Sequence, residues 1–168
     1  MIWYVGAPLT ALLVLLQVSA APAFTYGGVH ADLLVVWLGC WATVRGRQET
    51  LPLLPIAGLG LGLLGGEPLG ASLLALLPIV GLAALVEASP LRGRFGAALV
   101  TVLAGSLCYT FIHAAASLAG GSGGGPPFNL LRVAPRAAIL DAITAAVWFW
   151  PLRLACGRHV RGGEFRRL

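Results

Sequence analysis

The stretch GLGLGLLGGEPLG, from Gly58 to Gly70, admits two opposite readings. Glycine-rich runs cradle phosphates in loops, and small residues at helical spacing let membrane helices approach closely. A phosphate loop requires a strand before it, a helix after it and, in its commonest form, a Lys-Ser/Thr pair. Here both flanks are long apolar runs, and the chain contains no lysine. Gly58, Gly62 and Gly66 are spaced four apart and predict one small-residue ridge on a helix, with Gly70 beyond the turn at Pro68. The stretch therefore reads as a helix end, a tight turn and the start of the next helix.

The rest of the 168-residue chain supports that choice. It is 58% hydrophobic and only 10% charged, with a mean hydropathy of +0.90. A soluble domain carries about 25% charged residues, so this composition cannot cover a water-facing surface. From Met1 to Ala31 there is no charged side chain at all. Against the roughly 20 apolar residues that a span requires, six helices are expected, at 2–21, 28–44, 51–66, 69–87, 95–119 and 136–156. The fold class expected is an all-α integral membrane protein of one domain, 1–168, ending in a basic tail, 157–168. The first apolar segment lacks a positively charged start and is read as a retained helix rather than a signal peptide.

All basic side chains are arginines, and their positions favour a membrane over nucleic acid as the reason for the net charge of +5. Nine of the eleven follow even-numbered helices or lie in the tail, and only Arg132 and Arg136 fall in a loop of opposite parity. Because basic loops stay cytoplasmic, both termini are expected on the cytoplasmic side of the bacterial inner membrane. The outer segment 120–135 reads as a loop with a flexible glycine half and a stiffer proline half. Aromatic residues in VWFWP, 147–151, suit an interfacial belt.

Candidate polar sites are few. Asp32 and Asp141 are expected at the outer ends of the second and sixth helices, in the headgroup zone, with Arg136 as a local ion-pair partner for Asp141. An intramembrane carboxylate is costly and therefore a functional candidate, but at a headgroup it is solvated or paired. Tyr109 and His113 share a helix face at i,i+4 spacing. Cys40, Cys108 and Cys156 form no CxxC and read as apolar thiols. No catalytic residues, cofactor or metal ligands are expected, since no nucleophile elbow or ligand spacing is present.

The order of these features resembles the MreD family of bacterial rod shape-determining proteins. HADLLVVWLGCW places Asp32 where that family opens a helix with an acid or amide, and the basic turn RGRQ, 45–48, follows. Gly58, Leu59, Gly66, Leu69 and Gly70 fit a pattern close to G-L-x-x-D-(x7)-G, with Gly62 standing in place of the family's Asp. PRAAILDAITAAVWFWPLRLACGR is similar to the family's last helix, with Asp141 where an Asn is often found and Pro151 and Arg153 at the matching inner end.

The resemblance implies a non-enzymatic scaffold of the elongation machinery. Such a protein binds MreC directly and regulates the RodA glycosyltransferase and its class B penicillin-binding transpeptidase, with MreB as an indirect partner. It also implies an architecture like the substrate-binding subunits of energy-coupling vitamin transporters. A vitamin-binding transporter subunit is thus the competing expectation, and a membrane enzyme acting on lipid is a weaker one.

Overall fold

The computed structural model describes residues 3–20, 31–65, 69–89, 95–119 and 127–157. All regular structure among them is helical: α1 (Trp3–Ala20), α2 (Leu33–Arg45), α3 (Arg47–Thr50), α4 (Leu53–Gly65), α5 (Leu69–Glu87), α6 (Phe95–Ala119) and α7 (Pro127–Gly157). Gly70–Glu87, Phe95–Ala116 and Ala134–Leu154 are long and apolar enough to cross a bilayer by length and composition. The protein is thus an all-helical membrane protein with three clear span candidates. α1, α2 and α4 are shorter, at 18, 13 and 13 residues.

The centre of the bundle is α2. Every residue from Leu34 to Thr43 is buried, so this helix has no lipid-facing or water-facing side. A helix that is apolar all round belongs in a core, and LLVVWLGCWATV is such a sequence. It packs against α1, α5, α6 and α7. The outer helices α1, α4, α5, α6 and α7 pack one against the next in that order. At 13 residues α2 is about 20 Å long by the helical rise of 1.5 Å per residue, short of a hydrocarbon core of about 30 Å.

Aromatic side chains fill the space around it. Trp37 lies 5.0 Å from Trp41 between ring centroids and meets Trp148 of α7 edge-on at 6.3 Å. The Trp37 indole N–H donates to Thr10 Oγ1 of α1 at 3.0 Å, and that hydroxyl donates to the Gly6 carbonyl at 2.7 Å. Phe149 is fully buried and stacks edge-on against Phe95 at 5.4 Å. The expected interfacial belt at 147–151 is therefore corrected in part. Trp148 and Phe149 build the core, while Val147 and Trp150 face outward.

α2 ends where Gly46 takes φ 94°, a backbone region that glycine enters without a Cβ clash. Its N–H still reaches the Ala42 carbonyl at 2.9 Å. The chain then turns into α3, a single helical turn in place of the simple basic turn expected there. Arg45 and Glu49 meet across the break at 3.8 Å, and the Arg47 amide donates to Glu87 Oε1 of α5 at 3.0 Å. α4 begins directly after Pro52, with Pro55 in its first turn, where the missing N–H has no intrahelical partner to lose.

Two boundaries differ from the sequence expectation for physical reasons. α7 starts at Pro127 rather than 136, so the proline half of the outer segment is helix and not loop. Proline at the first helical position is preorganised by its fixed φ. α2 starts at Leu33 rather than 28, which leaves Asp32 just outside the helix. Residues 28–30 and the turn 66–68 lie outside the described residues.

Candidate functional site at the start of the central helix

Asp32 occupies the N-cap position of α2, but its side chain makes no capping bond. Asp caps helices because its carboxylate accepts the amides one turn ahead. Here that work passes to side chains from other helices. The Leu33 amide donates to Gln17 Oε1 of α1 at 2.9 Å, and the Asp32 amide donates to Asp141 Oδ1 of α7 at 2.7 Å. The Asp32 carboxylate in turn accepts from Gln17 Nε2 at 3.0 Å. The other oxygen of Asp141 accepts from Ser106 Oγ of α6 at 2.5 Å. Three helices, α1, α6 and α7, thus converge on the start of α2.

Asp141 is fully buried. It lies one residue from the midpoint of α7, and Ser106 lies one residue from the midpoint of α6. Asp141 is thus enclosed by protein near the middle of α7 and hydrogen-bonded to groups outside its own helix. The cause is the early start of α7, which places about nine more residues ahead of the acid. An Asp at a span centre costs roughly 2.5–3.5 kcal/mol on insertion scales. The Asp32 amide, the Ser106 hydroxyl and the positive end of the α2 dipole offset the cost of enclosing the charge here, since an anion at a helix N-terminus is favoured by about 0.3–1 kcal/mol and more when buried.

Further polar side chains extend from this cluster along α6. Thr110 Oγ1 donates to the Ser106 carbonyl at 2.9 Å. Tyr109 and His113 then pack ring to ring at 5.9 Å, so the shared face read from their spacing is real. Ser106, Tyr109, Thr110 and His113 recur at helical spacing and line one side of α6. No group of three or more His, Cys, Asp or Glu side chains comes together among the described residues. What the geometry does chemically is hold: each carboxylate oxygen of Asp141 receives a donor from a different element.

The other residues singled out from sequence divide clearly. Gly58 and Gly62 are buried in α4. A Cβ at Gly58 would fall 2.9 Å from the Leu73 Cα of α5, so this glycine permits backbone-to-backbone approach of the two helices. Gly60, not part of the expected ridge, makes the matching contact on the other side, where a Cβ would fall 2.8 Å from Val14 Cγ1 of α1. Gly70 is exposed, and a Cβ there would meet nothing within 4 Å, so its expected packing role is corrected. Gly66 and Pro68 lie outside the described residues. Arg136 is exposed on α7, in contrast to the enclosed Asp141 five residues on.

Gln17, Ser106 and Thr10 were not anticipated. Gln17 did carry a signal, being the single amide in a 31-residue opening without any charge. An amide surrounded by apolar residues in a span marks an interhelical hydrogen bond. Ser106 had no comparable mark among the many small residues of α6.

Fold and site together define an all-helical membrane protein with a buried polar clamp at the head of its central helix. No family model, curated protein or solved structure matches the chain.

Proposed function

We propose that this chain is a six-span, non-enzymatic scaffold of the bacterial elongation machinery, as its resemblance to MreD implies. In this reading both termini are cytoplasmic, in the inner membrane. The chain binds MreC directly and, with it, acts on the RodA–transpeptidase pair, while MreB is reached indirectly. The observation that supports the reading is the meeting of Asp32 and Asp141 across 109 residues. These are the two acids through which the resemblance was drawn, and they share one structural task. Their bonds hold helices together, which suits a scaffold. The exposed apolar faces suit lipid and partner helices, as at Leu63, Leu74, Leu85, Ile143 and Val147.

The test is co-purification from membranes with the MreC of the same cell, paired with depletion of this chain. Recovery of MreC and rounding of rod-shaped cells are expected. Intact rods on depletion together with no recovered MreC would remove the proposal. A vitamin retained by the purified chain in native mass spectrometry would replace it with the transporter-subunit reading.

A further inference from the structure

Pro78 is the central residue of the 19 that form α5. A proline has no N–H, so the carbonyl four residues back, that of Leu74, loses the donor that an α-helix gives it. Residues four apart lie one above the other on a helix. Leu74 is exposed, so the freed carbonyl lies along the outward side of α5. In the middle of a bilayer no water replaces the lost bond, and a neighbouring helix or a hydroxyl side chain must do so. α4 and α6 flank α5, and α4 carries no hydroxyl, amide or charged side chain from Leu53 to Gly65. Among the described side chains of α6, the hydroxyls of Thr101, Ser106 and Thr110 are given to the Ala97 carbonyl, Asp141 and the Ser106 carbonyl, and Tyr109 packs against the core. Ser72, the one hydroxyl of α5, is fully buried on the side opposite Leu74.

The same side of the helix has a notch. Gly70, Leu74, Leu77, Gly81 and Leu85 form one exposed, uncharged line along α5. A Cβ at Gly81 would meet nothing within 4 Å, so the missing side chain serves no contact inside the bundle. Its effect is on the outside, where it leaves a gap between Leu77 and Leu85. Such a gap at a small residue lets a second membrane helix bring its backbone close. Lipid tails bring no donor to the Leu74 carbonyl, and a second copy of α5 would set acceptor against acceptor. The face is complementary to an uncharged helix that carries a hydroxyl.

We propose that this face of α5 docks one transmembrane helix of another protein, which seats against Gly81 and carries a serine or threonine whose hydroxyl donates to the Leu74 carbonyl. Hydroxyl side chains bond across membrane helices in this way. The inference needs α5 to lie in a membrane but does not rest on the elongation-machinery reading.

The test uses the full chain, with a fluorescent protein fused after its last residue, in phosphatidylcholine bilayers. The probes are two acceptor-labelled transmembrane peptides of leucine and alanine that differ at one central position, serine in one and alanine in the other. Energy transfer should show the serine peptide bound about threefold more tightly, the factor that an average hydrogen bond between membrane helices supplies. Pro78→Ala returns an N–H to the Leu74 carbonyl and should remove that preference. Gly81→Leu should weaken both peptides about tenfold through overpacking, with the thermal melt of the wild type unchanged or raised, since a Cβ there meets nothing within the bundle. Equal binding of the two peptides to the wild type overturns the proposal, as does a serine preference that survives Pro78→Ala or binding that survives Gly81→Leu. Energy transfer between copies of the chain that Gly81→Leu abolishes also overturns it, in favour of a dimer through α5.

Discussion

Replacing Asp141 separates two roles that the carboxylate performs at the head of α2, as an acceptor and as a charge. In Asp141→Ala the Asp32 amide and the Ser106 hydroxyl lose an acceptor. Ser106 recovers most of the loss, because a hydroxyl in a helix turns to the carbonyl four residues back. Thr101, Thr110 and Thr144 already do so in this protein, at 2.8–2.9 Å. The Asp32 amide has no such recourse, since it precedes α2 and has no turn behind it. A buried donor left without a partner costs about 1–3 kcal/mol, and an interhelical hydrogen bond in a membrane protein about 0.6 kcal/mol, at most about 1.7. The expected loss for Asp141→Ala is therefore about 2–3 kcal/mol.

Asp141→Asn keeps a carbonyl oxygen for the Asp32 amide, and its NH2 group meets a Ser106 hydroxyl that is free to rotate and accept. The expected loss is under about 1 kcal/mol. The assay is reversible unfolding in mixed micelles, followed by tryptophan fluorescence, since Trp37 and Trp148 sit together in the core. A double-mutant cycle with Ser106→Ala isolates the direct pair. If Asp141→Ala costs less than about 0.5 kcal/mol, the clamp does not hold the bundle. If Asn is as damaging as Ala, the reasoning from acceptor geometry is wrong and charge is what counts.

Gly58→Ala should destabilise by about 1–3 kcal/mol through overpacking against the α5 backbone, whereas Gly70→Ala and Gly81→Ala, with open space around them, should be neutral or gain up to about 1 kcal/mol; a thermal melt of the three in one detergent gives the ranking. Trp37→Phe retains a ring in the core but leaves Thr10 without the indole donor, and a loss of about 1–3 kcal/mol in the same unfolding assay is expected. Glu87→Gln should change stability by less than about 1 kcal/mol, with little salt dependence, because the Arg47 side chain is 55% exposed and Gln still accepts the amide.

The helices bracketed by charges were legible from the sequence. α5 is 69–87 and α6 is 95–119 in both readings, since Glu87 and Arg94 mark where apolar surface ends. The start of α7 was hidden because glycine and proline before Arg132 look alike as loop formers, although proline also begins helices. That single boundary put Asp141 near the middle of its helix rather than near its start. The clamp itself was not legible. Asp32 read as a headgroup-zone acid at the outer end of its helix, and nothing local records that its partners come from α1 and α7. Such pairing follows from packing around a short, wholly enclosed helix. The glycine ridge was half legible: spacing found Gly58 and Gly62 on α4 but could not tell that Gly60 faces a second neighbour, or that Gly70 faces none.

The enclosure of α2 also bears on how the protein is made. Of the long helices packed against it, α5, α6 and α7 are synthesised after it. The acceptor for the Asp32 amide lies 109 residues downstream, a separation that takes about 5–20 s to translate at the usual 5–20 residues per second. Throughout that interval the most completely wrapped helix of the finished bundle stands open, and a chain that stops before α7 never closes it. Completion of the last helix is therefore the step that turns an inserted polypeptide into a folded one, and truncated products should be prime targets for membrane quality control.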